Sequence, residues 1–196
     1  MNSNILICGV GGQGTVLASK IIASTAMDMG LEVMASETIG MAQRGGCVVS
    51  HVRIGDNLHS PIIPTGSADV ILAFEPGEAA RCKKYLKDDG LMIVSNRAVQ
   101  PVTVALTGKP YDTESIIAYL KDSVKNLFIA DGQELIDKIG SAKALNICLI
   151  GILCGSGKSF LNAANVEKTI RNVLPEKILD MNIKALQIGI DEMEVK

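Results

Sequence analysis

The apolar positions fall into short blocks separated by glycine, proline and acidic residues, and the blocks alternate between two periods. Residues 4–8 (NILIC) form a continuous apolar run ending in glycines, the pattern of a strand buried on both faces. From 12 to 29 the apolar positions recur as a helical stripe through Val16, Leu17, Ile21 and small residues, and Gly30 marks the helix end. Residues 31–36 (LEVMAS) read as a second strand, which closes a βαβ unit. Residues 38–46 are glycine-rich and polar, as in a long functional loop, and 47–54 (CVVSHVRI) alternate with period two like a half-exposed strand. Gly55-Asp56-Asn57 is a turn, and Pro61 and Pro64 keep the next stretch irregular. Residues 69–74 (DVILAF) are the clearest buried strand, and Pro76 opens a helix reaching 86.

Asp88-Asp89-Gly90 reads as another turn, followed by strands at 91–95 and 102–106. A helix at 113–123, a strand at 127–130 and a short helix at 133–139 come next. Beyond 143 only helices are predicted, near 143–154, 163–174 and 176–192. The alternation predicts an α/β fold: a Rossmann-like, doubly wound, mostly parallel sheet with a helical C-terminal segment. Without a repeat or linker, residues 1–196 read as a single domain.

Composition narrows the function. With 196 residues, 47 % of them hydrophobic and 20 % charged, the chain can bury a core and is far from the disordered class. A net charge of −2 argues against a general nucleic-acid binder, and three Phe, three Tyr and no Trp leave little for base stacking. No apolar run approaches the roughly 18 residues that span a bilayer, and the polar N-terminus has no signal-peptide pattern, so no membrane association is expected. Five cysteines without a CxxC pair suit reduced thiols and a cytoplasmic location. No metal site is expected, because no His, Cys or Asp cluster has ligand spacing. Of the two histidines, His51 reads as a satisfied polar residue at the sheet surface or as an acid/base near a ligand.

The densest chemistry lies in Gly9-Val10-Gly11-Gly12-Gln13-Gly14-Thr15, a G-x-G-x-x-G between a predicted strand and a predicted helix. A sharp turn needs residues free to take positive φ, and a backbone that approaches an anion closely cannot carry a Cβ. The first helical turn then offers unpaired N–H groups at the positive end of the helix dipole. A phosphate, pyrophosphate or carboxylate is the natural occupant, and the Gln13 amide is a further donor toward a ligand or partner. The alternative is that the glycines only let helix and strand pack closely. Glu37, at the end of the second predicted strand, stands where a dinucleotide fold places its ribose-binding acid, which keeps an independent NAD-dependent oxidoreductase open.

A plain nucleotide fold does not require the next motif, Gln43-Arg44-Gly45-Gly46. The Arg44 fork suits a carboxylate or phosphate, with Gly45 and Gly46 turning beneath it. Glu75, ending the clearest strand, faces the ligand side, to bond a ligand hydroxyl or a partner's arginine, or simply to sit at a helix N-terminus. Gly155-Ser156-Gly157-Lys158-Ser159 ends like a P-loop but has Ile152 where the first glycine belongs. No residue is assigned as catalytic acid, base or nucleophile. A pure interaction module remains a further alternative.

Taken in order, Gly9-Val10-Gly11-Gly12-Gln13-Gly14, Ile39-Gly40-Met41-Ala42-Gln43-Arg44-Gly45-Gly46, Val49-Ser50-His51-Val52-Arg53-Ile54-Gly55 and Asp69-Val70-Ile71-Leu72-Ala73-Phe74-Glu75-Pro76 carry a resemblance. The sequence resembles the gamma-type subunits of the 2-oxoacid:ferredoxin oxidoreductases, nearest to the beta-type subunits of the indolepyruvate branch. Thr38-Ile39-Gly40 and Ala42 depart from the Ser-Tyr-Gly and acid usual in pyruvate-type relatives, which favours that branch. The resemblance implies one gamma-type catalytic domain. It also implies oxidative decarboxylation of a 2-oxoacid substrate, acyl transfer to coenzyme A and electron transfer to ferredoxin. This chain has neither the cysteine run of a ferredoxin-type cluster nor a thiamine diphosphate motif. The resemblance therefore implies a larger partner subunit that carries thiamine diphosphate and the iron–sulfur clusters, with no cofactor bound by this chain alone.

Overall fold

The computed structural model describes residues 2–37, 44–100 and 111–194. Its strands are β1 (Ser3–Val10), β2 (Val33–Glu37), β3 (Cys47–Ile54), β4 (Ala68–Ala73), β5 (Leu86–Ser95) and β6 (Asn126–Ala130). They form one six-stranded sheet in the order β2-β3-β1-β4-β5-β6. The helices are α1 (Thr15–Asp28), α2 (Pro76–Cys82), α3 (Thr113–Ser123), α4 (Gly132–Ile139), α5 (Leu145–Gly155), α6 (Ala163–Val173) and α7 (Glu176–Glu194). The α/β class is as expected, and the pairs β1–β4, β4–β5 and β5–β6 are parallel.

The left half of the sheet departs from a plain βαβ unit. β3 is antiparallel to β1 and to β2, so β2 keeps the direction of β1 but is separated from it by a strand. The register explains the insertion. β3 pairs with β1 from Ser3↔Ile54 to Val10↔Cys47 without a break, a full-length ladder that the shorter β2 cannot supply. β3 is accordingly not half-exposed: Val48, Ser50, Val52 and Ile54 are buried on one face, and His51 is buried on the other. Its period-two pattern reflects two different covered faces, not one covered and one wet.

The Asp88-Asp89-Gly90 turn is a second correction, because these residues lie inside β5. The pairing jumps from Ala68↔Leu86 to Val70↔Leu91, and the extra residues are taken up as a bulge at the strand's start. The predicted helix after Pro76 ends at Cys82 and tightens into a 3-10 turn, Lys83–Tyr85. The strand expected at 102–106 lies outside the described residues.

Two apolar clusters cover the two faces of the sheet. One joins Ile5, Ile7, Val52, Val70 and Leu72 to α1 and to the C-terminal helices, and the other packs Leu6, Cys8, Ile71 and Met92 under α2 and α3. α5 is buried at every position from Leu145 to Leu153. It touches α7 backbone to backbone: a Cβ at Gly151 would strike the Leu186 carbonyl, and one at Gly189 the Cys148 carbonyl. Among the described residues no single helix is long and apolar enough to cross a membrane.

Candidate functional site

The carboxyl ends of β1, β4 and β5 lead into α1, α2 and the Asn96–Arg97 segment, so one sheet edge gathers most of the candidates. Gly9 is still inside β1, where a Cβ would lie 2.8 Å from Gln13 Oε1 and 3.1 Å from Phe74 Cβ, so this glycine serves close packing. Gly12 and Gly14 make the turn, with φ of +102° and +84°. The Val10 N–H donates to Gln13 Oε1 at 2.7 Å, and Gln13 Nε2 donates to the Phe74 carbonyl at 2.9 Å. Gln13 thus braces the turn against the end of β4. Gly14 is the left-handed N-cap of α1, and the helix has no side-chain cap. Its first-turn amides, beginning at Thr15, are left for water or a ligand at the positive end of the dipole.

The two predicted loops meet. The Gly11 N–H donates to the Gly46 carbonyl at 2.8 Å and the Gly45 N–H to the Gly11 carbonyl at 3.2 Å, prolonging the β1–β3 ladder past its strands. Two cavities share Gly12. The first, about 300 Å³, is bounded by Gly11, Gly14, Thr15, Val16 and Val48. The second, about 140 Å³, is bounded by Gln13, Phe74, Arg97, Lys143 and Asn146. The first is lined mainly by glycine and valine, and the second is bordered by two cationic residues. A larger cavity of about 530 Å³ lies beside α3 and mixes Glu114 with Lys121, without a glycine turn.

Arg44 is exposed and lies outside both linings around Gly12. Arg97, at the end of β5, and Lys143, in the 3-10 turn before α5, supply the positive charge instead. Neither was visible as a site residue, because neither belongs to a motif and they come from separate parts of the chain. Gln43 lies outside the described residues. Glu37 ends the edge strand β2, where its carboxylate accepts the Ser19 hydroxyl.

Glu75 is fully buried and takes the helix-capping option: its carboxylate accepts the Glu78 N–H at 2.9 Å and the Tyr111 hydroxyl. Burial raises its pKa, against the opposing effect of the Tyr111 hydrogen bond. The adjacent Glu78 carboxylate meets Arg81 and accepts the Cys47 thiol at 3.1 Å. His51 Nδ1 accepts the Ile63 N–H at 3.2 Å, and burial lowers the pKa of the ring. This is the satisfied histidine, some four positions along β3 from the turn, or about 13 Å at strand spacing.

Among the described residues these donors do not gather into an iron–sulfur site. No group of three or more His, Cys, Asp and Glu among the described residues could hold a metal ion. The cysteines are dispersed: Cys8, Cys82 and Cys148 are buried, Cys154 partly so, and Cys47 exposed. The arrangement defines an α/β protein whose glycine turn opens a helix beside two cationic residues. Comparison with known sequences gives its family. The family model described as pyruvate ferredoxin/flavodoxin oxidoreductase matches residues 4–192, and the chain belongs to that family. It is 42 % identical to indolepyruvate oxidoreductase subunit IorB of Archaeoglobus fulgidus, over 98 % of this chain and 96 % of the relative. It is 38 % identical to the subunit of that name from Pyrococcus horikoshii, over 95 % and 94 %. Among solved structures, the gamma subunit of a keto/oxoacid ferredoxin oxidoreductase from Geobacter sulfurreducens shares the fold, with a TM-score of 0.71, 23 % identity and 99 % of each chain covered.

Proposed function

We propose that this chain is the small subunit of an indolepyruvate-type ferredoxin oxidoreductase, acting as one gamma-type domain over its whole length. An arylpyruvate is oxidatively decarboxylated in the assembled complex, the acyl group passes to coenzyme A and electrons leave to ferredoxin. The full-length likeness to IorB subunits carries this reading. Thiamine diphosphate and the iron–sulfur clusters are assigned to a larger partner subunit, a reading supported by the dispersed cysteines among the described residues. Five free cysteines suit a reducing cytoplasm.

The contribution of this chain is an anion site at Gly12. The uncapped start of α1 and the pair Arg97 and Lys143 favour phosphate, and Val16 and Val48 offer an apolar path beside it. Coenzyme A, with several phosphates and a slender arm, has the matching chemistry. The chain holds ligand and completes the assembly, and it supplies no acid, base or nucleophile. Mixing it with its larger subunit and assaying acyl-CoA formation from indolepyruvate tests the proposal. Turnover is expected only from the mixture, and full turnover by the larger subunit alone would refute it.

A further inference from the structure

The peptide plane between Gly14 and Thr15 carries both the last carbonyl before α1 and the first amide of its uncapped turn. Because that plane is rigid and trans, whatever holds the Gly14 carbonyl also aims the Thr15 N–H in the opposite direction. One side chain from far along the sequence holds it. Asn146 Nδ2 donates to the Gly14 carbonyl at 3.2 Å, while Asn146 Oδ1 accepts the Ile147 N–H at 2.9 Å. The same carbonyl accepts the Ala18 N–H at 3.0 Å, the first bond of the helix. Asn146 is 3 % exposed. It lies so close to Gly14 that a Cβ there would stand 2.5 Å from Nδ2. It also borders the cavity that holds Arg97 and Lys143. A carboxamide has two N–H donors, and the Gly14 carbonyl takes one of them.

The placement of Asn146 is stiff. Its helix, α5, is buried throughout its first nine positions, Leu145 to Leu153. At Gly151 and Gly189 the backbones of α5 and α7 meet with no side chain between them to yield. Ser141, whose hydroxyl accepts the Lys143 N–H at 3.2 Å, fixes the turn that enters α5. The C-terminal helices therefore do more than cover the sheet, because they deliver an amide to the one carbonyl that orients the start of α1.

We infer that Asn146 is a positioning residue of the anion site: it holds the Gly14–Thr15 peptide so that the Thr15 N–H faces the ligand, and it lends its second N–H to the cation-lined cavity. This rests on the anion reading of the glycine turn. A merely structural tie between helix and turn would lower stability and leave binding alone. The test compares the full-length chain with Asn146→Ala, Asn146→Asp and, as a control, Thr169→Val. The control removes a buried hydrogen bond between Thr25 and Thr169, at the other end of α1. Coenzyme A and inorganic pyrophosphate are the calorimetric probes, and amide hydrogen exchange is followed over 14–18. Asn146→Ala is expected to weaken both ligands about tenfold and to speed exchange at Ala18, whose N–H bonds the carbonyl that Asn146 holds. Asn146→Asp is expected to bind more weakly still, since a carboxylate would face both a carbonyl oxygen and the anion. Thr169→Val should lower the melting temperature and change neither readout. Binding by Asn146→Ala within twofold of wild type, with only stability lost, overturns the positioning role. If the wild-type chain binds neither probe, the anion reading fails instead. Exchange at Ala18 then decides the Asn146 tie by itself: unchanged exchange overturns it and faster exchange upholds it.

Discussion

Arg97→Ala probes the anion cavity directly, and its effect can be scaled from the geometry. A cavity of about 140 Å³ is equivalent to a sphere about 6 Å across, which sets an anion at its centre roughly 5 Å from a lining cation. Attraction between unit charges at that distance is about 3 kcal/mol at an effective dielectric near 20, and about 1 kcal/mol in bulk water. Arg97 is half-buried and Lys143 exposed, so they sit toward the first and second limits respectively. Arg97→Ala should therefore weaken coenzyme A binding by about 30-fold and Lys143→Ala by about fivefold, each tenfold being about 1.4 kcal/mol. Screening should shrink the Lys143 effect more than the Arg97 effect as salt rises from about 0.05 to about 0.5 M. Calorimetry on the full chain measures both, with pantetheine, which shares the thiol arm and lacks the phosphates, as the comparison ligand. A dissociation constant for Arg97→Ala within twofold of wild type, or an equal loss for pantetheine, would refute the electrostatic account.

Gly14→Ala combines left-handed strain of about 1–2 kcal/mol with a clash against buried Asn146, and should lower stability by about 2–4 kcal/mol in calorimetric unfolding. Gly12→Ala meets no atom within 4 Å and should cost only the backbone strain, so a larger loss at Gly12 than at Gly14 would contradict the geometry. Burial raises the Glu75 pKa, so the folded state binds its proton more tightly than the unfolded chain does. Its contribution is then full below the ordinary carboxylate range and is lost as pH rises through the raised value. Denaturant titrations should accordingly show wild type losing stability relative to Glu75→Gln between weakly acidic and neutral pH, and the opposite slope would count against a raised pKa. Among the described residues Ser50 Oγ is the buried side-chain polar atom without a hydrogen-bond partner. Ser50→Ala is thus expected to hold or raise the melting temperature, the unpaired hydroxyl costing about 1–3 kcal/mol, and a fall of several degrees would reveal an unseen partner.

What could be read from sequence was local. The helix at 113–123 is found at its predicted ends because Asp112 caps it through the Ser115 N–H and Val124 resumes extended backbone. The glycine turn was equally legible, since φ requirements and helix-start amides are properties of neighbouring residues. The position of β3 was not, because its pairing with β1 depends on a register between distant segments and the alternation of 47–54 is compatible with several neighbours. The cation pair was hidden for a similar reason. Arg97 and Lys143 converge only after β5 and α5 are docked, while the conspicuous Arg44 sits on the loop and outside both cavities. Gln13 reads as a ligand donor in sequence, and its amide also ties the turn to the end of β4, something composition does not reveal.

The inserted strand also decides the dinucleotide question. In a plain dinucleotide fold the second strand adjoins the first, so that its terminal acid reaches the ribose hydroxyls of a nucleotide whose pyrophosphate rests on the glycine turn. Here β3 occupies that place and β2 lies one strand further out. Strands are about 4.8 Å apart, so the Glu37 backbone is displaced by about 5 Å relative to that arrangement, well over the tolerance of a hydrogen bond. Its carboxylate is moreover engaged by the Ser19 hydroxyl on α1. On the proposed anion reading the turn still suits a negative group, while the fold loses its reader of the ribose. The chain should therefore show no NAD binding below about millimolar concentration while retaining affinity for coenzyme A. Titration of both ligands into the full chain measures this, and micromolar NAD binding that Glu37→Ala abolishes would restore the dinucleotide reading.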